Sequence, residues 1–138
     1  MTARWTEETL AQSGQWPDAG VVRDGLDLLQ LLSRPAAYDV LLATDLHAGN
    51  ILQAQREPWL VIDPKPFIGD PAYDATQHLL NCIGRLRAEP LSTIQRFADF
   101  LGVDSERVRL WTFARLAAEP RDDWRANKLT ELAPKLAP

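Results

Sequence analysis

Hydrophobic positions along the chain follow two rhythms. Val22, Leu26, Leu29 and Leu32 recur at steps of four, three and three, with Leu28 and Leu31 widening the stripe, which predicts a helix. It is entered by the Pro17-Asp18 turn and closed before Pro35, because a residue preceding proline is pushed out of the α region. Asp70-Pro71 marks another start, with a side-chain acceptor at the cap and proline at the first helical position. That helix would turn Ala72, Ala75, Leu79 and Ile83 inward and stop near Gly84. Leu91, Ile94, Ala98 and Leu101, with Phe97 beside them, form a third stripe closed by Gly102. A fourth helix, capped by Asp104 or Ser105, carries Val108, Leu110, Trp111, Phe113, Ala114 and Leu116 nearly all round, so it belongs in the interior, and Glu119-Pro120 ends it. Short helices are expected from near Thr6 and over Trp124 to Leu132, with fraying over residues 1–16.

Between the first two of these stripes the rhythm changes. Val40 to Thr44 is a strand-like run ending at Asp45, and a polar turn with His47, Gly49 and Asn50 follows. Ile51 to Gln55 and Trp59 to Ile62 read as a hairpin around a charged turn, its second arm stopping at Asp63. Asp45, Asn50 and Asp63 are therefore expected together at one end of a small sheet. The fold class this predicts is α+β, mainly α, with five or six helices around one β-hairpin.

Composition narrows the picture. A chain of 138 residues fits a single domain by length. With 46% hydrophobic and 25% charged residues it can bury a core. A net charge of −4 and no run of Lys or Arg argue against a nucleic-acid or anionic-membrane surface. No apolar run approaches the roughly 18 residues of a membrane span, and the opening MTARWTEETL has no signal-like apolar core. The lone cysteine, Cys82, excludes an internal disulfide, fits a reducing cytoplasm and is expected as a small buried helix residue. No Cys or second His stands at metal-binding spacing from His78, which reads as a partly exposed surface residue. Trp111 and Phe113 are expected in the core rather than in a pocket.

The chemistry lies in the spacing. Asp45 precedes Asn50 by five positions, and Asn50 precedes Asp63 by thirteen. Singly, each is an ordinary turn residue, because Asx side chains bond nearby backbone. Together they have the D-x-x-x-x-N, then D, layout of kinase catalytic and metal loops.

In the wording LLATDLHAGNIL followed by VIDPKPFIGDPAYD, the chain resembles the aminoglycoside phosphotransferase superfamily of kinase-like enzymes, in particular its streptomycin 6-phosphotransferase and hydroxyurea phosphotransferase branch. The resemblance runs from about Trp16 to Ala118 and is densest between Leu41 and Cys82. It implies a protein-kinase-like C-terminal lobe whose hairpin carries the catalytic and metal loops. It also implies transfer of the γ-phosphoryl group of ATP to an alcohol group of a small molecule. By that resemblance Asp45 would accept the hydroxyl proton, and His47 would donate to the transferred group. Asn50 and Asp63 would hold Mg2+, and Lys65 would meet phosphate or acceptor. Thr44 would satisfy loop backbone or touch substrate, and Asp74 would accept backbone N–H groups from the catalytic loop.

Two departures stand out. Ala43 and Thr44 occupy the positions where the superfamily usually has His-Gly. No G-x-G occurs, and the only lysines are Lys65, Lys128 and Lys135, so the N-terminal lobe that grips ATP is missing from these residues. Three readings stay open: a lobe completed by upstream sequence or another chain, an inactive remnant, or a binding or scaffold module. An exposed apolar face would favour a homo-oligomer in the last two.

Overall fold

A computed structural model describes residues 2–14, 18–34, 37–119 and 131–138. They form two compact units, one of Met1–Arg34 with Arg109–Pro138 and one of Pro35–Val108. The architecture is mainly helical with small antiparallel ladders.

The first unit holds α1 (Thr2–Ser13), α2 (Ala19–Leu32), most of α6 (Ser105–Ala118) and the short α7 (Ala133–Leu136). On α2 the predicted stripe is buried at Val22, Leu26, Leu29 and Leu32, whereas Leu31 is exposed. Every residue from Trp111 to Ala118 is buried, as expected for a helix apolar all round. Gly25 lets α2 and α6 approach closely: a Cβ there would lie 2.6 Å from that of Ala117. Thr9, fully buried on α1, donates to the Ala118 carbonyl at 2.6 Å and satisfies an orphan acceptor at the end of α6. Arg109 donates to the carbonyls of Leu136 and Ala137 at 2.8 and 2.6 Å. The helix expected from near Thr6 starts at Thr2 instead, and most of the Trp124 to Leu132 segment lies outside the described residues.

The second unit contains β1 (Val40–Leu42), β2 (Ile51–Gln53), β3 (Trp59–Val61), β4 (Phe67–Gly69), α3 (Pro71–Asn81), α4 (Ile83–Ala88) and α5 (Pro90–Leu101). The expected hairpin is present as β2 and β3, with Ile51 opposite Val61 and Gln53 opposite Trp59, shorter at each arm than predicted. A second ladder was not expected: β1 pairs antiparallel with β4, Leu42 opposite Phe67 and Val40 opposite Gly69. Leu42 turns into the core while Leu41 and Ile68 stay exposed.

Asp70 caps α3 as the sequence requires, accepting from the Ala72 N–H at 3.0 Å, with Pro71 in the first turn. Its buried carboxylate also pairs with Arg107 near the start of α6. The predicted stop near Gly84 is wrong. Helix α3 ends at Asn81, the chain bends at Cys82, and Gly84 lies inside α4 with open space around it. The bend lets Leu86 bury completely, an anchor that a straight helix closed at Gly84 would forgo. Cys82 at this bend is exposed, not buried as expected. On α5, Ile94 and Ala98 are buried but Leu91 and Leu101 are exposed, so the helix presents a narrower face than its spacing suggested. Gly102 closes it in the left-handed conformation at φ 68°. Of the two candidate caps for α6, Asp104 does it, accepting from the Arg107 N–H at 3.1 Å.

Candidate active site

Two loops of the second unit carry the chemistry-bearing side chains: residues 43–50 between β1 and β2, and residues 62–66 between β3 and β4. Because β1 pairs with β4, the residues leaving the first strand lie beside those entering the second. Lys65 N–H donates to the Ala43 carbonyl at 3.4 Å, and Thr44 Oγ1 donates to the Lys65 carbonyl at 2.5 Å.

The first loop is held from below by α3. Asp74, in the first turn of that helix, accepts from the backbone N–H of Ala43 at 2.7 Å and of Thr44 at 2.9 Å. A carboxylate there is also favoured by the helix dipole. The clamp matters because Thr44 sits at φ 42°, a left-handed conformation that a β-branched residue resists. Asp63 is the other non-glycine residue with positive φ among the described residues, at φ 48°.

Asp45 and Lys65 meet directly, the ammonium lying 2.5 Å from Oδ2. The contact holds the Asp45 carboxyl below the usual carboxylate range, chiefly through the hydrogen bond, with desolvation opposing it. The same bond raises Lys65 above its ordinary value, helped by the charge of Asp63 nearby. Asn50 joins Asp45 by another route: its amide nitrogen donates to the Asp45 carbonyl at 3.0 Å. Asn50 also accepts the Ile62 N–H at 2.9 Å on its own carbonyl, so the hairpin register fixes it one step from Asp63. No hydrogen bond links the Asp63 carboxylate to Asp45 or Asn50 among the described residues.

His47 starts a single 3-10 turn (Ala48–Asn50) and accepts the Gly49 N–H on Nδ1 at 3.1 Å. A neutral His47 bonded this way carries its proton on Nε2, leaving that edge as a donor. A Cβ at Gly49 would come within 3.0 Å of the imidazole, so a larger residue there would push the His47 ring aside.

The structure thus brings Asp45, Asn50 and Lys65 into contact, ties Thr44 to both Lys65 and Asp74, and sets Asp63 at the same end of the hairpin. The direct Asp45–Lys65 pair was missed by sequence reasoning. The signal for it lay in Phe67-Ile68-Gly69, a short β-rich run whose pairing with Val40–Leu42 dictates the approach. Among the described residues no three His, Cys, Asp or Glu side chains form a cluster able to hold a metal by themselves.

Comparison with known proteins agrees with the motif. Residues 3–121 match the model of the aminoglycoside/hydroxyurea antibiotic resistance kinase family, and the chain belongs to that family. A hydroxyurea phosphotransferase of Kitasatospora aureofaciens is 41% identical over 106 residues, covering 75% of this chain and 31% of that protein. Streptomycin 6-kinases of Streptomyces glaucescens and Streptomyces griseus are 39% and 35% identical, covering 63% and 76% of this chain and 30% and 35% of theirs. The chain spans about a third of the length of these curated relatives. No solved structure matches it. No helix among the described residues is long and apolar enough to cross a membrane.

Proposed function

We propose that this chain supplies the acceptor-activating and cation-holding loops of a kinase-like C-terminal lobe, in an ATP-dependent phosphotransferase that acts on an alcohol group of a small molecule such as streptomycin or a hydroxyurea-like compound. The observation that carries this reading is the convergence of Asp45, Asn50 and Lys65 at one end of the β2–β3 hairpin. Family membership supports it.

The reaction asks for positioning more than covalent help. Asp45 accepts a hydrogen bond from the acceptor hydroxyl and takes its proton as the hydroxyl oxygen bonds to the γ-phosphorus. The bond from that phosphorus to the bridging oxygen breaks, and ADP leaves with the electron pair. A low carboxyl pKa keeps Asp45 ionised and ready to accept. Lys65 begins on Asp45 and would turn to the oxygens of the transferred group once the acceptor hydroxyl takes its place on the carboxylate. His47, with Nε2 turned donor, would add a hydrogen bond to the same oxygens.

The donor set fits magnesium in kind. With its nitrogen committed to the Asp45 carbonyl, Asn50 has its amide oxygen to offer, and Asp63 offers a carboxylate. Magnesium takes one or two such hard donors and completes its shell with water and nucleotide phosphate, so a larger protein cluster is not required. Bound there, the cation would neutralise charge on the phosphates.

Grip on the nucleotide would come from further sequence or another chain. A second reading is a module that binds acceptor or cation without turnover. The test is transfer of labelled γ-phosphate from ATP to streptomycin, with magnesium, by the 138-residue chain completed with the remaining sequence of the Streptomyces griseus streptomycin 6-kinase. Asp45→Asn should lower transfer by about a hundredfold or more. Transfer that survives this change removes Asp45 as the base. Absence of transfer by the completed protein, with streptomycin still bound, selects the second reading.

A further inference from the structure

The bend at Cys82 has created a cavity between α3, α4 and α5. Its volume is about 330 Å3, at the small end of ligand sites. His78 and Cys82 line it from α3 and the bend, Arg85 from α4, and Thr93, Arg96 and Phe97 from α5. None of the loop residues around Asp45 lines it, so nothing about it depends on the phosphotransfer reading.

Its charge is one-sided. Two guanidinium groups border the space, and among the described residues no carboxylate lines it. Arg96 has Glu89 as its nearest anionic partner at 3.9 Å, with both side chains about two-thirds exposed, too loose and too wet a pair to occupy the guanidinium. The same Glu89 oxygen also accepts from Ser92 at 3.0 Å. Arg85 has no side-chain hydrogen bond or ion pair among the described residues. Two forks of donors are thus left open at the rim of one cavity, and guanidinium matches planar or tetrahedral oxyanions in a bidentate way that ammonium cannot.

The walls are flat and apolar by contrast. The rings of His78 and Phe97 stand with centroids 5.6 Å apart at 56°. Burial pushes the His78 imidazole below its ordinary pKa, outweighing the pull of Asp74, so it stays uncharged near neutrality. We infer that this cavity binds a small organic oxyanion with a flat apolar body, its carboxylate or phosphate taken by Arg85 and Arg96 and its ring seated against Phe97 and His78.

The test uses the 138-residue chain, isotopically labelled, titrated separately with phenyl phosphate, benzoate and inorganic phosphate while the ring signals of His78 and Phe97 are followed by NMR. Both aryl anions should shift these signals saturably below about 10 mM, with the methyl groups of Val22 and Leu29 in the other unit unmoved. An anion at the arginines favours imidazolium, so the His78 titration midpoint should rise when the site is filled. The double variant Arg85→Gln, Arg96→Gln alters only exposed side chains and should weaken the aryl anions by about tenfold or more. Tighter phenyl phosphate identifies a phosphate ester as the natural class, and tighter benzoate a carboxylate. Shifts that fail to saturate, or that persist unchanged in the double variant, overturn the site. Inorganic phosphate binding as tightly as phenyl phosphate overturns the flat-bodied ligand.

Discussion

Asp74→Ala isolates what holds the loop of residues 43–50 in place. The Asp74 carboxylate takes two backbone donors, from Ala43 at 2.7 Å and Thr44 at 2.9 Å. A hydrogen bond to a charged acceptor contributes about 1.5–3 kcal/mol where burial is complete. These two are half-buried, so water recovers part of the loss when they are cut, and the pair together should contribute about 2–3 kcal/mol. The cost falls on the loop, because Thr44 at φ 42° sits in a conformation about 1 kcal/mol or more above its relaxed state and depends on its bonds to stay there. Amide exchange at Ala43 and Thr44 should accelerate by about 30- to 150-fold, and urea unfolding should show a matching drop in stability. Asp74→Asn keeps one acceptor oxygen but turns an NH2 group toward the second donor, so its effect should fall between wild type and alanine. If Asp74→Ala leaves both exchange rates and the urea midpoint unchanged, the clamp is not holding the loop.

Three further outcomes follow from other contacts. Gly25→Ala places a methyl 2.6 Å from that of Ala117, where backbone rather than a flexible tip must yield. Overpacking of about 1–3 kcal/mol should exceed the roughly 1 kcal/mol gained in helix propensity, and a variant that melts higher than wild type would contradict this. Leu86→Ala removes the one buried anchor of α4 and should cost about 2–5 kcal/mol in denaturant unfolding; a loss below 1 kcal/mol would mean the site collapses around the smaller residue. Lys65→Met should raise the Asp45 titration midpoint, read by carbon-13 NMR. Since the native carboxyl is depressed, its share of stability is complete above the unfolded pKa and fades as pH falls through the lower folded value. The raised ammonium keeps its share until pH climbs through its own folded value, so wild type and variant should differ at neutral pH and converge in strong acid. An unmoved Asp45 midpoint would refute the pairing.

How much of this was readable from the chain differs by element. Asp70-Pro71 and Gly102 define helix ends by local chemistry alone, an acceptor for an orphan N–H and a residue free to turn left-handed, and the fold uses both. Spacing found α2 because four apolar residues fall on one face. The same spacing overstated α5, since periodicity identifies a stripe without saying how wide a surface awaits it, and Leu91 and Leu101 face solvent. Glycine as the breaker predicts a stop at Gly84, but the break occurs at Cys82, four residues before the completely buried Leu86. For the candidate site, the positions of Asp45, Asn50 and Asp63 around a hairpin followed from strand and turn chemistry. The Lys65 contact did not, because it depends on β1 finding β4 across more than twenty residues, and three-residue strands give little period to read. The cavity beneath Cys82 was equally hidden, since it exists only because of the bend.

Thr44 and Asp63 hold the backbone in a hand that any β-carbon resists, and glycine would sit at either position with less effort. A mutant library ranked on heat resistance alone should therefore drift toward glycine at both, while one ranked on what the loops accomplish should retain threonine and aspartate. The gap in melting temperature between the two winners would express, in degrees, how much durability this protein surrenders to keep those two side chains.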